Sequence, residues 1–256
     1  MTIVDALILF GAAFLGGALN SVAGGGSFIA FPALVFTGVD VIHANATNTV
    51  ALWPGSMASV WAYRRELSAQ RREFILLGSV SLIGGILGAL LLLRTPKEIF
   101  SVVLPYLLLT ATLLFTFGKR ITDRLRTQAH GHPTSRSALI GVTVLQLIIS
   151  IYGGFFGGGI GILMLAALTI IGIENIHKMN ALKTLLASLI NGIAVLLFVF
   201  NGIVEWPQAL LMVTGAIIGG YGGAHYARQL DPLVIRRFVI GVGFTMTIYF
   251  FVRSWM

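Results

Sequence analysis

Long apolar segments constrain this chain more than any other feature of its sequence. The segments 72–93 and 178–200, for example, are each long enough to cross a bilayer as a helix, which takes about 20 residues. Charged residues make up only 10% of the chain, whereas a soluble domain carries about 25%. Because the apolar runs are continuous, and backbone groups in lipid must be satisfied internally, the sequence predicts an all-α polytopic membrane protein.

Ten helices are predicted, eight long and two short, in a single transmembrane domain over residues 1–256. The long segments are 3–23, 43–63, 72–93, 98–118, 137–156, 178–200, 206–227 and 233–253, and the short ones are 27–41 and 160–172. A polar linker over 119–136 is predicted to lie in the cytoplasm and to separate a first repeat, about 3–118, from a second, about 137–256. The first segment lacks a basic start and a cleavage site, so we interpret it as a retained helix rather than a signal peptide.

The two halves repeat the same motifs in the same order. The pairs are Gly24–Gly26 with Gly157–Gly159, "GVDVIH" (38–43) with "GIENIH" (172–177), "NATN" (45–48) with "NALK" (180–183), and "GGILG" (84–88) with "GGYGG" (219–223). The offset between partners stays between 133 and 135 residues, which indicates an internal duplication. Glycines at four-residue spacing, such as Gly84 and Gly88, are expected to pack helices closely.

Glycine triplets interrupt an apolar helix at matching positions in both halves, which is typical of secondary transporters. Each glycine costs a helix about 1 kcal/mol relative to alanine, so a triplet favours an end and a restart. The restarted helices begin at Ser27 and Ile160, and their first N–H groups, at the positive end of the helix, suit an anion. The alternative is that the glycines only permit close packing.

The distribution of the 17 Lys and Arg residues favours inverted repeats. If both short segments cross the membrane, 14 basic residues face the cytoplasm and only Arg94, Lys97 and Arg253 face outward, as the positive-inside rule prefers. If both re-enter, the halves are parallel and the division is ten to seven. Because 27–41 spans about 22 Å as a helix, less than the roughly 30 Å core, the choice between crossing and re-entry stays open.

Polar side chains are costly inside a membrane, and those in this chain cluster beside the repeated motifs. Asn and Thr can donate hydrogen bonds to an anion, and Lys183 is the only cation well inside a repeat motif. The predicted substrate-binding residues are Gly24, Gly25, Gly26, Ser27, Asn45, Thr47, Asn48, Gly157, Gly158, Gly159, Asn180 and Lys183. Two alternatives remain: the lysine extends to the interface, and the Asn and Thr side chains join helices.

Two acidic residues precede the matched histidines, which suggests proton coupling because His titrates near neutral pH. The pairs are Asp40 with His43 and Glu174 with His177, and the alternative is that the acids are interfacial charges and helix caps. The chain has no cysteine and none of the common motifs for nucleophilic, nucleotide-hydrolysing or metalloprotease sites. We therefore expect no enzyme activity, no cofactor and no metal.

The stretch "GGALNSVAGGGSFIAFPALVFTGVDVIHANATNTVAL" (16–52), with "GGFFGGGIGILMLAAL" and "NALK" in the second half, resembles the sulfite exporter TauE/SafE family. The resemblance covers essentially the whole chain. It implies a permease of a bacterial-type inner membrane for a small anion such as sulfite, an organosulfonate or a related sulfur oxyanion. A passive anion channel and a non-transporting scaffold subunit are the alternatives.

The expected partners are the lipid bilayer and this anionic substrate, and a homo-oligomer is left open. The net charge of +8 is attributed to cytoplasmic loops rather than to nucleic-acid binding. The halves differ at one point of the motif, where Ile160 takes the place of Ser27, so the first half is expected to donate an extra hydroxyl.

Overall fold

The computed structural model describes residues 1–22, 25–62, 71–129, 136–170, 173, 175–226 and 232–255. Within these residues the chain forms ten α-helices and no strand, which confirms the predicted all-α fold. The helices are α1 (Ile3–Val22), α2 (Ser27–Phe36), α3 (Val41–Ala62), α4 (Arg71–Arg94), α5 (Lys97–Ala129), α6 (Arg136–Phe155), α7 (Ile160–Ile170), α8 (Ile176–Phe200), α9 (Trp206–Tyr226) and α10 (Pro232–Trp255).

Four helices in the described part of the chain are long and apolar enough to cross a membrane. Their apolar spans are Ile3–Asn20, Ile75–Arg94, Lys97–Gly118 and Lys178–Phe200. Helix α3 has a comparable length, 22 residues, but its first half carries the polar "HANATN" motif, which lowers its mean hydropathy. The predicted number of eight full spans therefore stays a prediction.

Two helices end elsewhere than predicted. Helix α2 stops at Phe36 rather than 41, because Gly38 adopts a φ of +87° and its N–H bonds back to the carbonyl of Val35. Helix α5 continues to Ala129, past its predicted end at 118 and into the predicted linker. Polarity alone does not end a helix, and 119–129 is rich in Arg, Leu, Gln and other strong helix formers.

The first glycine break turns the chain back on itself. A methyl group on Gly16 of α1 would lie 3.1 Å from the carbonyl oxygen of Gly26, so α2 returns alongside the end of α1. Helix α3 then reverses again, since its Asn48 Nδ2 lies 3.1 Å from Oγ of Ser27 at the start of α2. The three helices form a zigzag, and Asn48 lies at the glycine break.

The two halves pack symmetrically, with the first helix of each half against the fourth helix of the other. Helix α1 packs against α9, and α4 packs against α6. A methyl group on Gly88 would lie 2.8 Å from the backbone nitrogen of Phe155, so the close packing predicted for Gly88 is confirmed. Since Gly84 lies against Ser150 in the same contact, α4 and α6 run in the same direction.

The core consists of two apolar clusters. The larger one joins α1–α5 to parts of α8–α10, and the smaller one joins α4, α6, α7 and α8. Tyr152 of α6 packs against both clusters. The glycine breaks and their polar neighbours therefore lie within the packed interior rather than at a peripheral surface.

Candidate functional site

Gly25 and Gly26 form the first helix break in two different ways. Gly25 has a φ of +91°, a left-handed conformation that other residues rarely adopt. Gly26 packs against Gly16, and its N–H donates a hydrogen bond to Oδ1 of Asn20 at 2.9 Å. Gly24, predicted to belong to the same site, lies outside the described residues. The turn and the close packing thus each depend on one described glycine.

The amide groups at the start of α2 bond within the chain. The N–H of Phe28 donates to the carbonyl of Gly25 at 3.0 Å, and that of Ile29 donates to Gly26 at 3.1 Å. These short-range bonds satisfy backbone N–H groups at the start of α2 that were predicted to bind an anion. Ser27 contributes its hydroxyl instead, which accepts a hydrogen bond from Asn48.

The second glycine break also contains glycines with positive φ, but it packs against different residues. Gly157 and Gly159 have φ values of +83° and +77°. Methyl groups on Gly158 and Gly159 would lie 3.2 and 3.4 Å from Ala111 of α5, so this break packs against the end helix of the first half. The N–H of Ile162 bonds to the carbonyl of Gly159 at 3.2 Å, as the equivalent amides do in α2.

Asn45 and Asn48 lie on α3 and are buried, with only 2% and 3% of their surfaces exposed. Asn45 Nδ2 donates to the carbonyl of Phe155 at 3.0 Å, which links the first polar motif to the second glycine break. Asn48 Nδ2 donates to Ser27, and its Oδ1 has no hydrogen-bond partner in the described part of the chain. An unpaired buried oxygen of this kind costs about 1–3 kcal/mol.

Lys183 on α8 has the equivalent position in the second half. Its Nζ lies 3.3 Å from Oδ1 of Asn180, and its Cδ would lie 3.4 Å from a methyl group on Gly161. Among the residues that the structure describes, the ion pairs involve other groups, and no carboxylate pairs with this ammonium. Asn48 beside Ser27 and Lys183 beside Gly161 thus each lie against the first turn of a short helix.

Thr47 and Trp53 make contacts that position helices. The Oγ1 atom of Thr47 accepts a hydrogen bond from the backbone N–H of Glu205 at 3.0 Å, which holds the α8–α9 loop against α3. Trp53 Nε1 donates to the carbonyl of Ser188 at 3.1 Å, and its ring packs on Gly192. The sequence does not indicate which backbone group a threonine or an indole will reach, so neither contact was predicted.

Tyr152 is a partly buried residue with a buried hydroxyl that no sequence motif indicated. Its hydroxyl has no hydrogen-bond partner among the described residues, and its ring packs edge-on against Phe156 with centroids 6.3 Å apart. A tyrosine just before the second glycine triplet was the only signal in the sequence. In the described part of the chain, Asn48 Oδ1, His43 Nδ1 and Gln208 Oε1 are likewise buried without a hydrogen-bond partner.

Asp40 forms an ion pair that the sequence did not predict. Its Oδ2 lies 2.6 Å from Nζ of Lys97, while its Oδ1 caps the first turn of α3 at 3.0 Å and lies 3.7 Å from Nδ1 of His43. Burial raises the pKa of Asp40, but the hydrogen bonds from Lys97 and from the backbone outweigh it and hold the pKa below its ordinary value. The contacts agree with the cap and interfacial-charge interpretation. Glu174 and the side chain of His177 lie outside the described residues.

Comparison with known proteins adds a family and several relatives. The family model described as sulfite exporter TauE/SafE matches residues 9–250. A probable membrane transporter protein of Haemophilus influenzae is 30% identical over 94% of this chain and 92% of its own length. The probable membrane transporter proteins ORF9 of a Sinorhizobium species and YfcA of Escherichia coli K12 are 30% and 29% identical over 94% of this chain, and over 90% and 87% of their own lengths. No solved structure matches.

Proposed function

The chain belongs to the sulfite exporter TauE/SafE family, and we propose that it is a secondary transporter that moves a small anion across a bacterial inner membrane. The proposed substrate class is sulfite, an organosulfonate or a related sulfur oxyanion. One observation carries the proposal: Lys183 is partly buried, has no carboxylate partner in the described chain and lies against the first turn of a glycine-broken helix.

An anion would complete the bonding of this interior. A charge without a partner is costly to bury even in part, and a bound anion would offset the charge of Lys183 through a charge-assisted hydrogen bond. Turning the amide of Asn48 would let Ser27 donate to its Oδ1 and would free its Nδ2 to donate to the anion. The interior therefore offers one formal positive charge in the second half and a neutral donor in the first.

The directions of the helices support inverted repeats. Because α1, α2 and α3 form a zigzag, α3 runs in the same direction as α1. The Asp40–Lys97 ion pair joins the start of α3 to the start of α5, just beyond the end of α4, so α4 opposes α3. Helix α6, the first of the second half, runs with α4 and so opposes α1. We therefore propose eight full transmembrane helices and two short ones in two inverted halves.

The aromatic packing around the breaks favours a gated carrier over an open channel. Phe28 packs edge-on against Phe115 with centroids 6.2 Å apart, and Phe31 packs against Phe156 at 6.0 Å. These buried ring pairs lie beside the two glycine breaks. A passive channel would need a continuous polar path past them.

Flux measurements with the purified full-length chain in liposomes test the proposal. Sulfite, sulfate, methanesulfonate and taurine would be offered separately, with protein-free liposomes and the Lys183→Ala variant as controls. We expect at least one sulfur anion to move faster than in both controls. If each of the four compounds moved at the same rate in the natural-chain liposomes as in both controls, the proposal would be contradicted.

A further inference from the structure

A cavity of about 300 Å³ lies outside the central site, where the α2–α3 loop meets the start of α5 and the end of α10. Its polar lining consists of Asp40, Lys97, Ser101 and Arg253. Both halves of the chain contribute, since Arg253 belongs to α10 and the other three residues belong to the first half. The cavity is large enough for a small sulfonate or oxyanion with part of its hydration shell.

The charges in this cavity do not balance. Lys97 pairs with Asp40 at 2.6 Å, but Nη1 of Arg253 has the hydroxyl of Tyr249, a neutral group, at 3.5 Å. The lining therefore carries two cations and one carboxylate. Lys97 is also 62% exposed, so its ammonium can leave Asp40 without crossing a packed region. Glu98, the nearest further carboxylate along α5, is exposed and does not line the cavity.

Aromatic rings separate this cavity from the central site. Phe250 lines the cavity and packs against Phe31 with centroids 6.1 Å apart, and Phe31 packs in turn against Phe156. Phe31 is buried, with 1% of its surface exposed. Asp40 caps the first turn of α3 and precedes Asn45 by five residues, which is about 7.5 Å at the rise of a helix. The two regions are thus neighbours, and the contacts of Phe31 with Phe250 and Phe156 lie between them.

We propose that this cavity is a second anion-binding site, at the mouth of the protein, for a free sulfonate or sulfur oxyanion. Lys97 and Arg253 supply the charge, the hydroxyl of Ser101 supplies a neutral donor, and Asp40 holds Lys97 while the site is empty. An incoming anion competes with Asp40 for Lys97. The role of this site as the station before the central one rests on the proposed function, but its anion binding does not.

The absence of cysteine from the chain permits a direct test in lipid-free detergent. Ser101→Cys would be labelled with anionic sulfonatoethyl methanethiosulfonate and, separately, with the cationic trimethylammonioethyl reagent. Asn201→Cys, in the exposed α8–α9 loop, is the matched control. We expect the anion-to-cation rate ratio at Ser101→Cys to exceed that at the control by at least about threefold, the effect of one nearby charge in water.

Added charge variants identify the groups responsible. Lys97→Gln and Arg253→Gln should each lower the ratio at Ser101→Cys, Asp40→Asn should raise it, and Arg94→Gln should leave it unchanged. Methanesulfonate should slow labelling.

A ratio equal to the control, or one unaffected by Lys97→Gln and Arg253→Gln, would overturn the proposal. Protection by phosphatidylglycerol but not by methanesulfonate would overturn it in favour of a lipid headgroup. Because labelling requires no transport, absent sulfite flux with a high ratio would contradict the proposed function alone.

Discussion

The side-chain amide of Asn48 donates a hydrogen bond to the hydroxyl of Ser27 at 3.1 Å and leaves its own Oδ1 unpaired in the described interior. This one contact joins the first polar motif to the helix that restarts after the first glycine break. If the amide turns, its Nδ2 becomes free to donate to an anion.

Asn48→Asp should abolish anion transport while keeping the shape of the side chain. An ionised carboxylate at this buried position would repel the anion. A protonated one would offer a single O–H donor in place of the two N–H donors of the amide. We expect at least a tenfold lower rate, the effect of about 1.4 kcal/mol, in sulfite flux measured in liposomes. Asn201→Asp, in the exposed α8–α9 loop, is the control. An unchanged rate in Asn48→Asp would remove this residue from the site.

Gly25→Ala should be more harmful than Gly38→Ala, although both residues have similar positive φ values, +91° and +87°. The left-handed conformation costs an alanine about 1–2 kcal/mol at either position. At Gly25 the methyl group would also lie 3.0 Å from Val239, whereas nothing lies within 4 Å at Gly38. Thermal unfolding in detergent and flux measure the two effects separately. Equal losses in both variants would mean that backbone strain alone explains the need for glycine at the break.

A reporter that is active only in the cytoplasm should be silent when fused after Met256 and active when inserted in 130–135. Inverted halves with five crossing segments each place both termini on the side opposite the linker. The distribution of Lys and Arg favours this arrangement under the positive-inside rule. Expression of both fusions would be checked by immunoblotting. A strong signal from the C-terminal fusion would restore parallel halves.

Asp40 should stabilise the fold at neutral pH and lose this effect in acid. Its pKa is held below the ordinary value of 3.8, so the folded state binds the proton more weakly than the unfolded state does. The stabilisation is therefore complete above the unfolded pKa and disappears as the pH falls through the folded pKa. The melting temperature of Asp40→Asn should lie below that of the natural chain at pH 7, and the difference should shrink as the pH falls below 3.8. A constant difference across this range would assign the effect of the substitution to packing.

Sequence periodicity predicted the helices well because the apolar runs and glycine breaks are local signals. The order and approximate bounds of all ten helices in the described chain follow from them. The extension of α5 to Ala129 was missed because helix propensity continued where hydrophobicity stopped. Burial of Asn45 and Asn48 beside the breaks agrees with their predicted place.

Contacts between distant segments were not predictable in the same way. The ion pair of Asp40 with Lys97 and the bond of Trp53 to Ser188 depend on how the halves pack, which no single motif encodes. The role expected for the first N–H groups of α2 also changed, because short-range bonds at the helix start satisfy Phe28 and Ile29. The proposed anion site therefore rests on side chains more than on helix ends.

Anion flux through Lys183 variants tests the central claim most directly. Purified Lys183→Ala, Lys183→Arg and the natural chain would be reconstituted in liposomes at equal density. Lys178→Ala, on the same helix but in its first turn, is the matched control. We predict that Lys183→Ala loses nearly all sulfite flux, that Lys183→Arg keeps a fraction because it retains charge without the shape of an ammonium, and that Lys178→Ala is unaffected. Full flux in Lys183→Ala, with equal insertion and detergent stability, would contradict a central anion site built around this lysine.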